Sequence, residues 1–251
     1  MSLRACAEIV ERADPDRFLA AMAAPPEARA ILFPIYAFNV EISRAPWLTG
    51  EAGIAEMRLQ WWRDALEEIA AGKPVRRHEV TDPLCELLDA EGAALLDRLI
   101  QARRWDIYSD PFESMEHFDE YLDATAGNPS WVAARALGTA EGESALRDVA
   151  WAGGLANWFR AVPELAARGR WPLPDVRPEA VDALAEKGLE RLRRGRGRLP
   201  ERARPALLWT WRARAFLSQA RRDPARVCAG GLRQSDFVRR GSLLWRIAFD
   251  G

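Results

Sequence analysis

Asn157-Trp158-Phe159-Arg160-Ala161-Val162-Pro163-Glu164-Leu165 is followed closely by Arg168-Gly169-Arg170-Trp171-Pro172-Leu173-Pro174. Asn157, Arg160 and Glu164 are spaced i, i+3, i+7, so a helix would align them in one polar stripe. Such a stripe either meets solvent or lines a cavity. In the solvated case Arg160 and Glu164 would form a surface pair of a few tenths of a kcal/mol, about 0.2–0.5.

Outward from this stretch, apolar residues recur with helical spacing and nowhere with a convincing period of two. The pattern predicts helices over residues 3–13, 54–71, 83–89, 93–109, 114–137, 144–167, 178–194, 200–222 and 235–249. Asp14 and Pro15 start a further helix, and Pro25 with Pro26 opens a long one through Ile31, Ile35, Phe38 and Ile42. Proline suits a first turn because its missing N–H had no intrahelical partner there. Residues 45–53, with Pro46, Gly50 and Gly53, read as a loop. No internal repeat or low-complexity linker divides the chain, which implies one all-α domain over residues 1–251.

Three other segments combine polar and apolar residues in ways that need explaining. In Ile35-Tyr36-Ala37-Phe38-Asn39-Val40-Glu41-Ile42-Ser43-Arg44, Asn39 and Ser43 lie one turn apart on a face beside Tyr36. They either reach solvent or line a cavity. In Arg58-Leu59-Gln60-Trp61-Trp62-Arg63-Asp64, the adjacent tryptophans point in different directions, which places one in the core and one under a neighbouring loop. The Ala126-Gly127 step before Pro129 costs helix stability and fits a kink or the close approach of a backbone or ligand.

The composition narrows the function classes. Hydrophobic residues make up 49% of the 251, ample for one large core. The 36 basic and 37 acidic residues nearly cancel, so nothing global points to nucleic acid. The basic run from Leu192 to Arg198 reads as a solvated helix end, its arginines well placed against the helix dipole. Cys6, Cys85 and Cys228 form no CxxC pair, and with only His78 and His117 a Cys/His zinc site is excluded. The cysteines read as reduced, partly buried thiols of a cytoplasmic protein. The N-terminal residues carry no apolar signal region, and no run approaches a membrane span. Eleven tryptophans read mostly as core fillers and caps around a wide cavity.

Together, the four segments resemble the squalene/phytoene synthase family. Tyr36-Ala37-Phe38 resembles the aromatic step ahead of the family's first aspartate motif, and Trp62-Arg63 the step on the next helix. Tyr121 with Ala126-Gly127 resembles the family's Y…AG step. Asn157…Arg160…Glu164, then Gly169-Arg170…Leu173-Pro174, resembles the signature NxxRDxxED…GRxYLP. The resemblance implies an isoprenoid synthase type of helical fold with a central cavity. It implies that Tyr36, Asn39, Ser43, Arg44, Asn157, Arg160, Glu164 and Arg170 line that cavity or hold a diphosphate there.

In the family, two aspartate-rich motifs bind magnesium ions, which hold and ionise a prenyl diphosphate. Magnesium prefers hard oxygen ligands and neutralises the charge of the departing group. At the matching positions this chain has Ser43-Arg44-Ala45-Pro46-Trp47, Ala161 and Leu165; Val40 replaces a further arginine and Pro172 a tyrosine. Glu164 is the only candidate metal ligand left in the stripe. The expectation is therefore no metal cofactor, with magnesium required only if prenyl transfer persists. Phe38-Asn39-Val40-Glu41, the segment around Trp61-Trp62 and Leu243-Leu244-Trp245-Arg246 resemble the branch that includes the mitochondrial complex I assembly factor. That resemblance implies a non-catalytic assembly or chaperone-type protein with a protein partner, cytoplasmic or peripheral to an inner membrane. The alternatives are a prenyl transferase condensing isoprenoid diphosphates, with Arg44, Arg160 and Arg170 as a metal-free clamp, and an isoprenoid or lipid carrier.

Overall fold

A computed structural model describes residues 2–250. Thirteen α-helices account for most of it, with no strand among the described residues. In chain order they are α1 (Ser2–Ala13), α2 (Pro15–Ala23), α3 (Pro26–Arg44), α4 (Ala52–Ala70), α5 (Thr81–Leu84), α6 (Ala90–Arg103), α7 (Met115–Leu122), α8 (Asn128–Ala136), α9 (Glu143–Ala167), α10 (Pro178–Arg196), α11 (Ala213–Arg222), α12 (Ala225–Cys228) and α13 (Asp236–Asp250).

The starts follow local chemistry. Asp14 Oδ1 accepts from Arg17 N (2.9 Å) ahead of Pro15, Asp89 Oδ1 from Gly92 N (2.7 Å), and Ser114 Oγ from His117 N (3.2 Å). Each bond satisfies an N–H that the first helical turn leaves open.

Helix α9 is the axis of the molecule. It packs on α8, α10, α11 and the turn after α7, and it buries Trp151 and Phe159 completely. Burying a side chain of that size contributes about 1.5–3 kcal/mol. Helix α10 lies against α9 because Gly195 lets the backbones meet: a Cβ there would sit 2.5 Å from Ala145 O. Next to this contact Arg194 clasps the Asp148 carboxylate with two hydrogen bonds, at 2.7 and 2.8 Å. One member of the basic run is thus tied down as a helix staple.

The tryptophans behave mainly as packing groups, six of them buried: Trp62, Trp131, Trp151, Trp158, Trp209 and Trp211. Trp62 enters the core while Trp61 stacks edge-on against it and against His78 in the loop after α4. Of the cysteines only Cys6 is buried, and burial pushes its thiol up to about 12; Cys85 and Cys228 are exposed, contrary to the expected partial burial.

Four expected helices differ. The segment 93–109 is α-helical only to Arg103 and finishes in a 3-10 turn, Arg104–Asp106. The segment 83–89 is helical only over Thr81–Leu84, because Asp89 turns extended to cap α6. The segment 114–137 is broken by a π turn over Asp123–Gly127. Pro129 has no N–H to give the preceding turn, and the ladder shifts, with Asn128 N bonding to Asp123 O. The widened turn receives α9 at Gly154, whose missing Cβ would lie 2.9 Å from Ala126 Cβ. The segment 200–222 begins as a tight 3-10 run over Glu201–Thr210 around Pro205 and becomes α-helical only in α11. The segment 45–53 holds a single 3-10 turn, Ala45–Trp47, and is a loop only over residues 48–51, since α4 already begins at Ala52.

Candidate functional site

Helices α3 and α9 face each other across a cavity of about 600 Å³. The α3 side presents Asn39, Val40, Ser43 and Arg44, and the α9 side presents Asn157, Trp158, Ala161, Glu164 and Leu165. A second cavity of about 560 Å³ continues from it between α2, α9 and the start of α13. Asp14, Arg17, Asn157 and Trp209 belong to both walls.

Arg17 stands where the two cavities meet. Its guanidinium lies between the rings of Trp209 (4.8 Å) and Tyr36 (5.1 Å), a cation–π sandwich that holds it without consuming its donors. Its Nε is buried without a hydrogen bond, and Asp14 Oδ2 approaches it only to 3.5 Å. Across the first cavity, Asn39 is 8% exposed and its buried Oδ1 likewise lacks a partner among the described residues. Such atoms cost stability unless something binds them.

The floor is a buried polar cluster. Asp106 accepts from Tyr121 Oη (2.9 Å) and from Arg103 Nη1 (3.0 Å), and Arg103 Nη1 also reaches the phenol at 2.6 Å. Burial raises the Tyr121 phenol far above its ordinary value against the opposing pull of Arg103, so it remains a neutral donor. Arg170 does not line the cavity: its Nη2 donates to the Asp106 carbonyl (2.7 Å) while the guanidinium covers Trp47 (5.1 Å). Tyr36 is also outside the wall, buried beneath Arg17 with its hydroxyl 3.4 Å from Ala206 O.

The other expected site residues are engaged locally. Ser43 Oγ donates back to Val40 O (3.0 Å), and Arg44 pairs with Glu41 (3.1 Å). Glu164 pairs with Arg168 (2.7 Å) rather than with Arg160. Arg160 turns into the second cavity instead, 3.6 Å from Asp16. Asp16 also binds Arg212 and Arg239, the latter at 2.5 Å. Burial lowers the Arg212 guanidinium from its ordinary value, with Arg160 and Arg239 adding repulsion.

Of the expected clamp residues, Arg170 is thus bonded to a backbone carbonyl, while Arg160 stands near the Asp16 carboxylate beyond hydrogen-bond distance. The carboxylates of the first cavity, Asp14, Asp106 and Glu164, are each paired with an arginine. Among the described residues no three His, Cys, Asp or Glu side chains gather to hold a metal ion. Arg17, Asp16, Arg103 and Asp106 were not singled out in the sequence. A charged residue in a helix's first turn, or at its end, reads there as solvated, and only tertiary packing encloses it.

The model of the squalene/phytoene synthase family matches residues 10–177, most of the chain and both facing helices. The chain belongs to that family. Relatives of this squalene/phytoene synthase-like chain include the NADH dehydrogenase (ubiquinone) complex I, assembly factor 6 homolog of Drosophila melanogaster, 29% identical over 66% of this chain. The assembly factor 6 of Bos taurus is 24% identical over 68% of it. These matches span about half of each relative's length, 52%. The Rattus norvegicus protein, at 23% identity, matches 96% of this chain and 81% of its own length. Among solved structures, a dehydrosqualene synthase in complex with ligand superposes with a TM-score of 0.79, covering 99% of this chain and 96% of its own at 16% identity. Squalene synthase HpnC from Alicyclobacillus acidocaldarius gives 0.73, covering 89% and 94% at 17% identity. These likenesses establish the isoprenoid synthase fold.

Proposed function

We propose that this chain has kept the family's scaffold without its ionisation chemistry and acts as a non-catalytic assembly or chaperone-type factor of the respiratory complex I kind. The observation that carries this reading is the donor set on the two facing helices. Ser43, Arg44, Ala161 and Leu165 stand where the resemblance puts metal-binding aspartates, and all four line the first cavity. A hydroxyl bonded to its own helix, a cation and two apolar side chains supply no anionic oxygen for magnesium, which needs several. Glu164 is the one carboxylate in that stripe, and Arg168 holds it. The residues present do not fit the family's metal, so no step through it is derived. A metal-free clamp of Arg44, Arg160 and Arg170 is not assembled on one wall: Arg160 lies in the second cavity, 3.6 Å from Asp16, and Arg170 donates to Asp106 O outside the first.

The assembly role is supported by the names of the relatives and calls for a protein partner. Purifying the tagged chain from membranes of its own cells after cross-linking is expected to retrieve subunits of an NADH:ubiquinone oxidoreductase. Their absence, with the bait recovered intact, would remove the assembly role.

A second reading, an isoprenoid or lipid binder, is favoured by Arg17 and the unpartnered Asn39 Oδ1 on the wall of a 600 Å³ cavity. A co-purifying isoprenoid in the same preparation, found by mass spectrometry, would favour that reading over the first.

A further inference from the structure

Helix α13 turns an apolar face outward. Phe237 is 87% exposed, Leu244 67% and Trp245 65%, and Val238, Gly241 and Ala248 are exposed with them. Positions 237, 241, 244, 245 and 248 recur at helical spacing, so they form one stripe along the helix rather than scattered surface residues.

The opposite face is the one that holds the helix to the body. Leu243 is buried, Ile247 packs on the core, Trp211 Nε1 donates to Arg239 O (3.2 Å) and Arg239 grips Asp16 (2.5 Å). The outward stripe is therefore not a packing face turned the wrong way. It is a second apolar face on a helix whose first is already used, and such patches mark interaction sites.

Charge selects what it meets. From Ala213 to the end of the chain eight arginines stand against three aspartates, in a chain of formal net charge -1 overall. On the outward arc from 237 to 248 the one charged residue is Arg240, exposed and without an ion pair among the described residues; Arg233, just before the helix, is likewise. No acidic side chain lies within that arc; the exposed Asp236 stands just ahead of it in the first turn, 3.5 Å from Arg239. Aromatic and aliphatic side chains on one face, with Arg233 and Arg240 at its flank against the single carboxylate of Asp236, form the pattern of a helix lying in an anionic interface. No helix among the described residues is long and apolar enough to cross a membrane, so contact of this kind would be peripheral.

We infer that the outward face of α13, through Phe237, Leu244 and Trp245 with Arg240 and Arg233, docks this protein on the surface of an anionic phospholipid bilayer. The inference does not depend on the assembly reading: an enzyme or a carrier on this scaffold would dock in the same way.

Flotation of the full chain with phosphatidylglycerol/phosphatidylcholine vesicles tests it, with phosphatidylcholine vesicles as reference. The protein is expected to float with the anionic vesicles, less so at high salt. The double variant Phe237→Ser/Leu244→Ser is expected to bind roughly tenfold more weakly or worse. Met57→Ser, at an exposed position on α4, is expected to bind as the parent does. Both variants change exposed side chains, and an unchanged thermal midpoint would show that they remain folded. Equal flotation by the double variant, no flotation by the parent, or equal binding to neutral vesicles would overturn the inference. So would a parent dimer that the double variant turns into a monomer, because the face would then be covered by a second copy.

Discussion

Asp106→Ala is expected to destabilise the protein by about 3–5 kcal/mol, read as a lower urea midpoint with little change in slope. The Asp106 side chain is 2% exposed and, among the described residues, is the only counter-charge bonded to the largely buried Arg103. Removing it strands the guanidinium, whose Nε already lacks an acceptor among the described residues, and takes away the carboxylate that accepts from the Tyr121 phenol. An unpaired buried charge costs more than the pair contributes, so the order of effects across variants is informative. Tyr121→Phe removes one hydroxyl and leaves the ion pair, for a cost of roughly 1 kcal/mol. Replacing both charges, Arg103→Met with Asp106→Leu, is expected to cost less than Asp106→Ala alone. A loss below about 1 kcal/mol for Asp106→Ala would mean that water, not Arg103, meets this carboxylate.

Gly195→Ala is the second large effect, and its sign contradicts helix propensity. In an open helix, alanine gains up to about 1 kcal/mol over glycine. Here the new methyl would sit 2.5 Å from Ala145 O and 2.7 Å from Val149 Cγ2. The first of these is backbone and cannot rotate away, so α10 must lift from α9 and loosen the Arg194–Asp148 clasp. A net loss of roughly 1–3 kcal/mol is expected in thermal or chemical unfolding. Gly53→Ala on α4 is the control. Nothing lies within 4 Å of a Cβ there, and this substitution is expected to stabilise by a few tenths to about 1 kcal/mol. If both substitutions stabilise, the close approach of α9 and α10 is wrong.

The helices that could be read from the sequence were those whose own residues decide them. α3, α4, α9 and α10 combine a long apolar stripe with a proline start or a glycine-rich end, and they lie where the periodicity puts them. The breaks were less legible because a periodic pattern continues through them. Residues 114–137 keep helical spacing across the π turn, and only the meeting of Ala126 with Gly154, far away in sequence, makes the widened turn useful. The proline at 205 was a visible sign of the tight run before α11, but its effect depends on how closely that run packs on α8 and α9.

The same divide runs through the site. Asn39, Ser43, Arg44, Asn157 and Glu164 share helix faces that spacing alone brings together, and they line the first cavity. Arg160 shares its stripe with Glu164 but has several rotatable bonds and a stronger attraction elsewhere, at Asp16 on α2. Arg170 follows a glycine of positive φ (Gly169, 74°), which turns the chain so that the side chain reaches Asp106 O rather than the cavity. Arg17 was least legible. Its position between two aromatic rings and two cavities arises from elements nearly 200 residues apart in sequence, α2 and the run containing Trp209.

Incubation of the purified chain with farnesyl and geranylgeranyl diphosphates, with magnesium or manganese present, tests the loss of ionisation chemistry most directly. The expected result is no release of inorganic diphosphate and no longer isoprenoid above the protein-free background, under conditions where a known squalene synthase turns over. Formation of a coupled product by the pure protein, dependent on the divalent ion, would contradict it, because the metal would then have found oxygens that Ser43, Arg44, Ala161 and Leu165 do not supply.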